Sequence, residues 1–152
     1  MKAEYVNPIL EALYSLLQKF AGTDSRRGKL VRIESQVPRG DITIVLPVSG
    51  QVTGRILLIM DRKIVLAMGK RMLLGFPVRD IDGLTRDAIM ELALRIAADA
   101  SETLAKREIR ASLMHPRLIE GRTTEIPLLA KSALGISIET GDGSIILAVD
   151  LT

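Results

Sequence analysis

Apolar residues recur with a helical period in three parts of the chain. Between Tyr5 and Phe20 they fall three or four positions apart, which predicts a first helix with one buried side. Asn7 is expected to cap this helix, with Pro8 at its first helical position, and Gly22 to end it.

Two more helices are predicted in the middle of the chain. Asp61 can cap the first of these, Arg62–Leu74, which ends before Gly75 and Pro77. The segment Asp82–Leu84 leads into the second, Thr85–Arg107, whose helical period is the strongest in the sequence.

The remaining apolar runs are short and resemble strands. Before the second helix they are Lys29–Glu34, Asp41–Val48 and Val52–Met60, with a hairpin turn at Ser49 and Gly50. After the third helix they are Ile109–Met114, Glu125–Ala130, Gly135–Thr140 and Ser144–Leu151, with a turn at Gly141, Asp142 and Gly143. Helices that come as a consecutive pair favour an α+β fold, with helices packed on a largely antiparallel sheet. The length of 152 residues predicts a single domain, 1–152.

Composition excludes several classes of protein. The chain has no cysteine, which excludes disulfides and thiolate metal sites and suits a cytoplasmic location. The start of the sequence does not fit an export signal, and no apolar run approaches the roughly 18 residues that a membrane span needs. We therefore expect no membrane insertion.

A nucleic-acid site is also not expected. The formal net charge is only +3, and the few aromatic residues are not interleaved with the basic ones for base stacking. The basic clusters are interpreted as solvated surface: Arg26, Arg27 and Lys29, then Arg62, Lys63, Lys70 and Arg71.

Conventional catalytic motifs are absent from the sequence. It contains no glycine-rich nucleotide loop, no GxSxG and no HExxH. His115 is the only histidine, so a site with two histidine ligands and a conventional triad are excluded within one chain, and no metal site is predicted. A structural role is the ordinary interpretation of His115, and its function stays open.

The third helix carries the candidate site on its polar side. At about 100° per residue, the side opposite the apolar stripe is formed by Asp87, Glu91, Arg95, Ala98 and Glu102, and Leu94 lies on the flank of this exposed side. Ordinary ion pairs on a solvated helix surface would explain the charges. They do not explain an apolar residue at position 94.

The order of these segments resembles the CheX branch of the CheC, CheX and FliY family of bacterial chemotaxis phosphatases. The segments are MKAEYVNPILEAL, VSGQVTGRILLIM followed by KIVLAMGKRMLLG, DAIMELALRIAADASETLA, and SLMHPRLIEGR. The resemblance covers nearly all of the chain. The signature of the family on the long helix is a glutamate followed three residues later by an asparagine; Glu91 matches the glutamate, and Leu94 replaces the asparagine.

The resemblance implies a protein that binds a phosphorylated CheY-like response regulator. The carboxylate of Glu91 would pair with the active-site lysine of the regulator, and the magnesium ion would belong to the regulator, so no cofactor is expected in this chain. The family also forms homodimers through its sheet, which implies a homodimer here. Partner contacts would come from Asp87, Glu91, Leu94, Arg95 and Ala98, with Glu91 as the catalytic position.

Three functions remain open because leucine cannot orient the attacking water as an asparagine amide does. In the first, the protein hydrolyses the aspartyl phosphate, and Gln51 or a side chain of the regulator places the water. In the second, it is a binding module or adaptor in chemotaxis or two-component signalling without catalysis. In the third, it is a stable α+β domain with Leu94 buried at a dimer contact.

Overall fold

The computed structural model describes residues 3–123 and 125–152 of the chain. Within these residues the helices are α1 (Ala3–Ala21), α2 (Arg62–Met72) and α3 (Gly83–Lys106). The strands are β1 (Ser25–Ile33), β2 (Ile42–Gly50), β3 (Gly54–Met60), β4 (Ala111–Leu113), β5 (Arg117–Glu120), β6 (Ala133–Thr140) and β7 (Gly143–Leu151). The predicted order of helix, strands, two helices and strands is confirmed.

The strands form one antiparallel sheet. The strand order is β1–β6–β7–β3–β2–β4. The short strand β5 pairs with the first half of β2, on the same edge where β4 pairs with the end of β2. The edge at β1 and the edge at β4 and β5 therefore lie at opposite sides of the molecule. Short hairpins link β2 to β3 and β6 to β7, whereas the other pairings join strands that are not consecutive in the chain.

All three helices cover one face of this sheet, which confirms the predicted α+β fold. Ile44 and Leu46 of β2 and Ile56 of β3 are completely buried beneath them. Leu13 of α1 and Ile96 of α3 are buried in the same core and only 1% exposed. Each such side chain contributes about 1.5–3 kcal/mol by leaving water, so the helix face holds most of the hydrophobic stabilisation.

Two irregular segments cover the opposite face. Val37 and Ile126 are buried there against Val45 and Leu57 of the sheet, and the backbone N–H of Val37 donates to the carbonyl of Ile126 at 2.9 Å. The predicted strand Glu125–Ala130 is wrong, because this segment crosses the sheet as a covering loop with a single bridge to Gln36.

The predicted cap of the first helix is also wrong. Asn7 and Pro8 lie inside α1, which already includes Ala3. Pro8 has no N–H to donate to the carbonyl of Glu4, a loss that ordinarily disfavours helix. The buried face continues through Val6 on the N-terminal side of Asn7, and its packing extends the helix past the proline.

Two smaller differences come from distant contacts. Asp61 occupies the cap position of α2 but makes no capping hydrogen bond; Asp41 accepts from the N–H of Arg62 at 2.7 Å instead. The hairpin between β2 and β3 is confirmed, but it turns at residues 51–53 rather than at Ser49 and Gly50. Gly54 ends the turn with a φ of 135°, and a side chain there would collide with the carbonyl of Asp150.

Candidate functional site

The long helix α3 begins at a well-formed cap. The Oδ1 atom of Asp82 accepts hydrogen bonds from the backbone N–H and the hydroxyl of Thr85, both at 2.9 Å. These bonds to the ionised form lower the pKa of the Asp82 carboxyl below its usual value. Thr85 is buried beneath the cap, so the start of the helix and its rotation about its axis are fixed.

All five predicted site residues lie along one side of α3. Glu91, Arg95 and Ala98 are exposed, as is Asp87 one turn earlier, whereas Leu94 is half-buried on the flank. We call Asp87, Glu91, Leu94, Arg95 and Ala98 the α3 ridge. The apolar side of the same helix is buried in the core, as the periodicity predicts.

Within the ridge, Glu91 and Arg95 form an ion pair. The Nε atom of Arg95 donates to Oε1 of Glu91 at 3.0 Å, and their side chains are 47% and 57% exposed. The guanidinium carbon of Arg95 also lies 4.3 Å from the centre of the Phe20 ring at the end of α1. Glu91 therefore accepts one described hydrogen bond and keeps several lone pairs directed to solvent.

The two flanks of α3 contact different parts of the fold. On one flank, α3 packs against α1, and Arg107 at its end donates two hydrogen bonds to Glu11 at 2.9 and 3.1 Å. On the other flank it lies beside the edge formed by β4 and β5. The Oγ atom of Ser101 accepts from the N–H of Leu113 at 2.9 Å, which fixes that second contact.

Comparison with solved structures identifies the architecture. The structure superimposes on the chemotaxis protein CheX from Desulfovibrio desulfuricans with a TM-score of 0.86 and 25% identity, over 98% of this chain and 99% of that chain. The chain has the CheC/CheX-like fold. A CheC-like superfamily protein from Shewanella sp. PV-4 gives a TM-score of 0.88 at 19% identity, over 100% and 99% of the two chains.

A third similar structure is a complex. CheX from Borrelia burgdorferi, crystallised with CheY, BeF3 and Mg²⁺, superimposes on this CheC/CheX-like domain with a TM-score of 0.74. The identity is 22%, and the match covers 97% of each chain. No protein-family model and no curated protein sequence matches this chain significantly.

Gln51 lies far from the ridge of this CheC/CheX-like domain. Its side chain donates to the hydroxyl of Tyr5 at 2.9 Å and accepts from the N–H of Arg110 at 3.1 Å. Arg110 follows the end of α3, and from Glu91 to Lys106 the helix rises about 22 Å. Both ends of the Gln51 amide are therefore engaged, and the expectation that Gln51 could place a water beside Glu91 has no geometric support.

The other amide side chains are not seen to contact the ridge. Asn7 and Gln18 lie on α1, where both are exposed, and Gln36 lies in the segment that covers the opposite face of the sheet. Among residues 3–123 and 125–152, no group of three histidine or acidic side chains could hold a metal ion. In the same ranges, no helix is long and apolar enough to cross a membrane.

His115 lies in the short link between β4 and β5, and its side chain is exposed. This link belongs to the sheet edge that α3 contacts through Ser101 and Leu113. Sequence reasoning placed it only at the end of a strand. The signal that was missed is the pairing of β4 and β5 with β2, a long-range contact that no local pattern reveals.

Proposed function

We propose that this chain binds a phosphorylated CheY-like response regulator through the α3 ridge and promotes slow hydrolysis of its aspartyl phosphate. The observation that carries this proposal is the exposed carboxylate of Glu91 on the long helix of a CheC/CheX-like fold. The complex of a similar CheX with CheY supports the choice of partner. In this proposal the protein acts in the cytoplasm, and the magnesium ion stays with the regulator.

Glu91 can exchange its ion pair with Arg95 for a pair with a partner at a small cost in free energy. An exposed pair four residues apart on a helix contributes only about 0.3–0.5 kcal/mol. A lysine of the partner can therefore take over the carboxylate from Arg95, and the cation of Arg95 remains over the Phe20 ring. The pairing of opposite charges across an interface steers association and fixes its register.

Leu94 limits what the ridge can do alone. Hydrolysis of an acyl phosphate depends on the position of the attacking water more than on covalent chemistry from the protein. A leucine side chain has no donor or acceptor for that water. We therefore expect a slower reaction than an asparagine at this position would support, by about 10²-fold.

The second candidate function is a binding module or adaptor that recognises the regulator without hydrolysis. Leu94 favours it, because a half-buried leucine next to the exposed Ala98 adds an apolar contact at the centre of the ridge. Apolar contacts at the centre of an interface contribute strongly to affinity, whereas exposed charges at its rim contribute little.

A homodimer through the sheet edge is part of the same proposal. The edge strand β1 is nine residues long, and its Leu30 and Val31 side chains are 52% and 58% exposed. The unpaired N–H and C=O groups of a long edge strand can pair with a second copy, and the four basic side chains of β1 have to be accommodated in such a dimer. The ridge lies beside the opposite edge, at β4 and β5, so pairing through β1 would leave it accessible.

Phosphate release tests the proposal directly. CheY-type response regulators of the same organism are phosphorylated with acetyl phosphate, mixed with the protein, and followed for loss of the aspartyl phosphate. We expect the wild type to accelerate loss of the aspartyl phosphate and Glu91→Ala to lose this effect. The rate of phosphate loss should be about 10²-fold higher with Leu94→Asn than with the wild type.

Glu102→Ala is the matched control, because Glu102 forms the same type of ion pair with Lys106 at 2.9 Å on the same helix. If the wild type binds the regulator and only Leu94→Asn is active, the adaptor function is correct. If neither protein binds any phosphorylated regulator, the proposed partner is wrong.

A further inference from the structure

No side chain of the α3 ridge can both donate to and accept from a water molecule, but the edge beside it carries one that can. Two hydrogen bonds fix the alignment of α3 with this edge. Ser101 is bonded to Leu113 at 2.9 Å, and the Nη1 atom of Arg86 donates to Oε2 of Glu120 at 3.2 Å. As α3 runs from residue 86 to residue 101, the edge runs past it in the opposite direction, from residue 120 to residue 113.

The ridge and the link between β4 and β5 lie between these two anchors. Leu94 is eight residues from Arg86 and seven from Ser101, near the middle of a helical segment about 22 Å long. Along the edge, His115 is two residues from Leu113 and five from Glu120. His115 therefore lies alongside the turn of α3 that contains Leu94 and Ala98.

The register of the edge strands contains an extra residue at this point. Leu113 pairs with Val48 and Arg117 pairs with Val45, so three residues lie opposite Leu46 and Pro47. The N–H of Met114 donates to the carbonyl of Pro47 at 2.6 Å. Such a bulge changes the direction of a side chain at a sheet edge. Here Pro116 is buried, and the adjacent His115 is exposed.

An imidazole has the hydrogen-bonding capacity that Leu94 lacks. In its neutral form one ring nitrogen donates and the other accepts, so it can hold a water molecule in a defined orientation. The proposed partner places the lysine of its phosphorylation site against Glu91, one turn of helix from Leu94, and this brings its phosphoryl group close to the same part of α3. A water between that group and the β4–β5 link would be within reach of the imidazole.

We propose that His115 orients the water that attacks the aspartyl phosphate of the bound regulator, in place of the amide that Leu94 replaces; this inference rests on the proposed function. The water oxygen forms the new bond to phosphorus. The bond between phosphorus and the aspartyl oxygen breaks, and its electron pair stays on the aspartate carboxylate. Both protons of the water end on the released phosphate, so His115 is unchanged after the reaction.

Steady-state kinetics with a phosphorylated CheY-type regulator of the same organism tests this role. We expect His115→Ala to lower kcat by about 10²-fold while KM changes by less than about twofold, because the imidazole positions water rather than the regulator. His115→Gln retains more activity than His115→Ala, since an amide also donates and accepts. In the His115→Ala background, Leu94→Asn restores hydrolysis.

Arg117→Ala is the control, at the first residue of β5, two positions from His115. Arg117 is exposed and pairs with Val45, whose side chain belongs to the opposite face of the sheet, so its loss should leave kcat unchanged. Thermal unfolding checks that each variant is folded.

The inference is overturned if His115→Ala hydrolyses as fast as the wild type, or if the wild type binds the regulator without releasing phosphate. Either result leaves recognition of the regulator intact. Absence of binding by every variant overturns the proposed function itself.

Discussion

Asp150 and Glu91 both accept a hydrogen bond from an arginine, yet their surroundings differ completely. Asp150 is 0% exposed and accepts from Arg55 at 3.1 Å and from the N–H groups of Leu129 and Ala130, both at 2.9 Å. Arg55 also donates to the carbonyl of Pro127. Glu91 is bonded to Arg95 alone, at the exposed surface of α3.

The difference separates a structural carboxylate from one that is available to a partner. A buried charge is tolerated only when hydrogen bonds compensate for the lost water, and Asp150 meets this condition while it holds the covering loop on the sheet. Glu91 has no comparable structural role, since an exposed ion pair on a helix adds little to stability. Its lone pairs can therefore be used in binding.

The largest expected effect is on stability, at Asp150. Asp150→Ala leaves the guanidinium of Arg55 and two backbone N–H groups without their acceptor, so we expect the free energy of unfolding to fall by about 3 kcal/mol. Urea denaturation measures this change. Glu91→Ala is the matched substitution at the exposed carboxylate and should change the free energy of unfolding by less than about 0.5 kcal/mol. If both variants lost the same free energy of unfolding, Glu91 would be as structural a carboxylate as Asp150.

A smaller effect is expected at Asp142, whose carboxylate is intermediate between these two. Both of its oxygens accept from Arg71 at 2.6 Å, and its side chain is 10% exposed. The hydrogen bonds from Arg71 lower the pKa of the Asp142 carboxyl. Because the pKa is lower in the folded state than in the unfolded state, the stabilisation is present above the unfolded pKa of about 4 and is lost as the pH falls through the folded pKa.

Urea denaturation between pH 7 and pH 3 checks this linkage. We expect Asp142→Asn to lower the free energy of unfolding by about 1 kcal/mol at pH 7. This value allows for solvent screening, because the Arg71 side chain is partly exposed. The loss should become progressively smaller as the pH falls below about 4. A difference between the two proteins that stays constant over this pH range would contradict the assignment.

Local periodicity predicts the helices and the ridge well. In α3 the alternation of apolar and polar residues places Glu91 and Ala98 on the exposed side, because burial of one helix face depends only on spacing along the chain. The same spacing places Leu94 on the flank of that side, and its side chain is half-buried there. The α+β architecture follows from the order of these elements.

Contacts between distant segments account for the errors. Asp41 caps α2 from another part of the chain, and Asp150 turns an apolar run at residues 127–130 into a covering loop. Neither contact leaves a local pattern. The position of His115 beside α3 depends in the same way on how β4 and β5 pair with β2, so the sequence alone indicates only that the residue ends a strand.

Affinity for a phosphorylated regulator tests most directly whether the ridge at Glu91 is the binding surface. Glu91→Lys and Glu102→Lys reverse the same charge at two positions of the same helix, about 16 Å apart. Each substitution removes an ion pair with a basic residue four positions later. Isothermal titration calorimetry with a CheY-type regulator of the same organism, held in its phosphorylated form, gives the dissociation constants. We predict a loss of at least about 30-fold, or about 2 kcal/mol, for Glu91→Lys and less than about threefold for Glu102→Lys. Equal dissociation constants for the two variants would contradict the central claim.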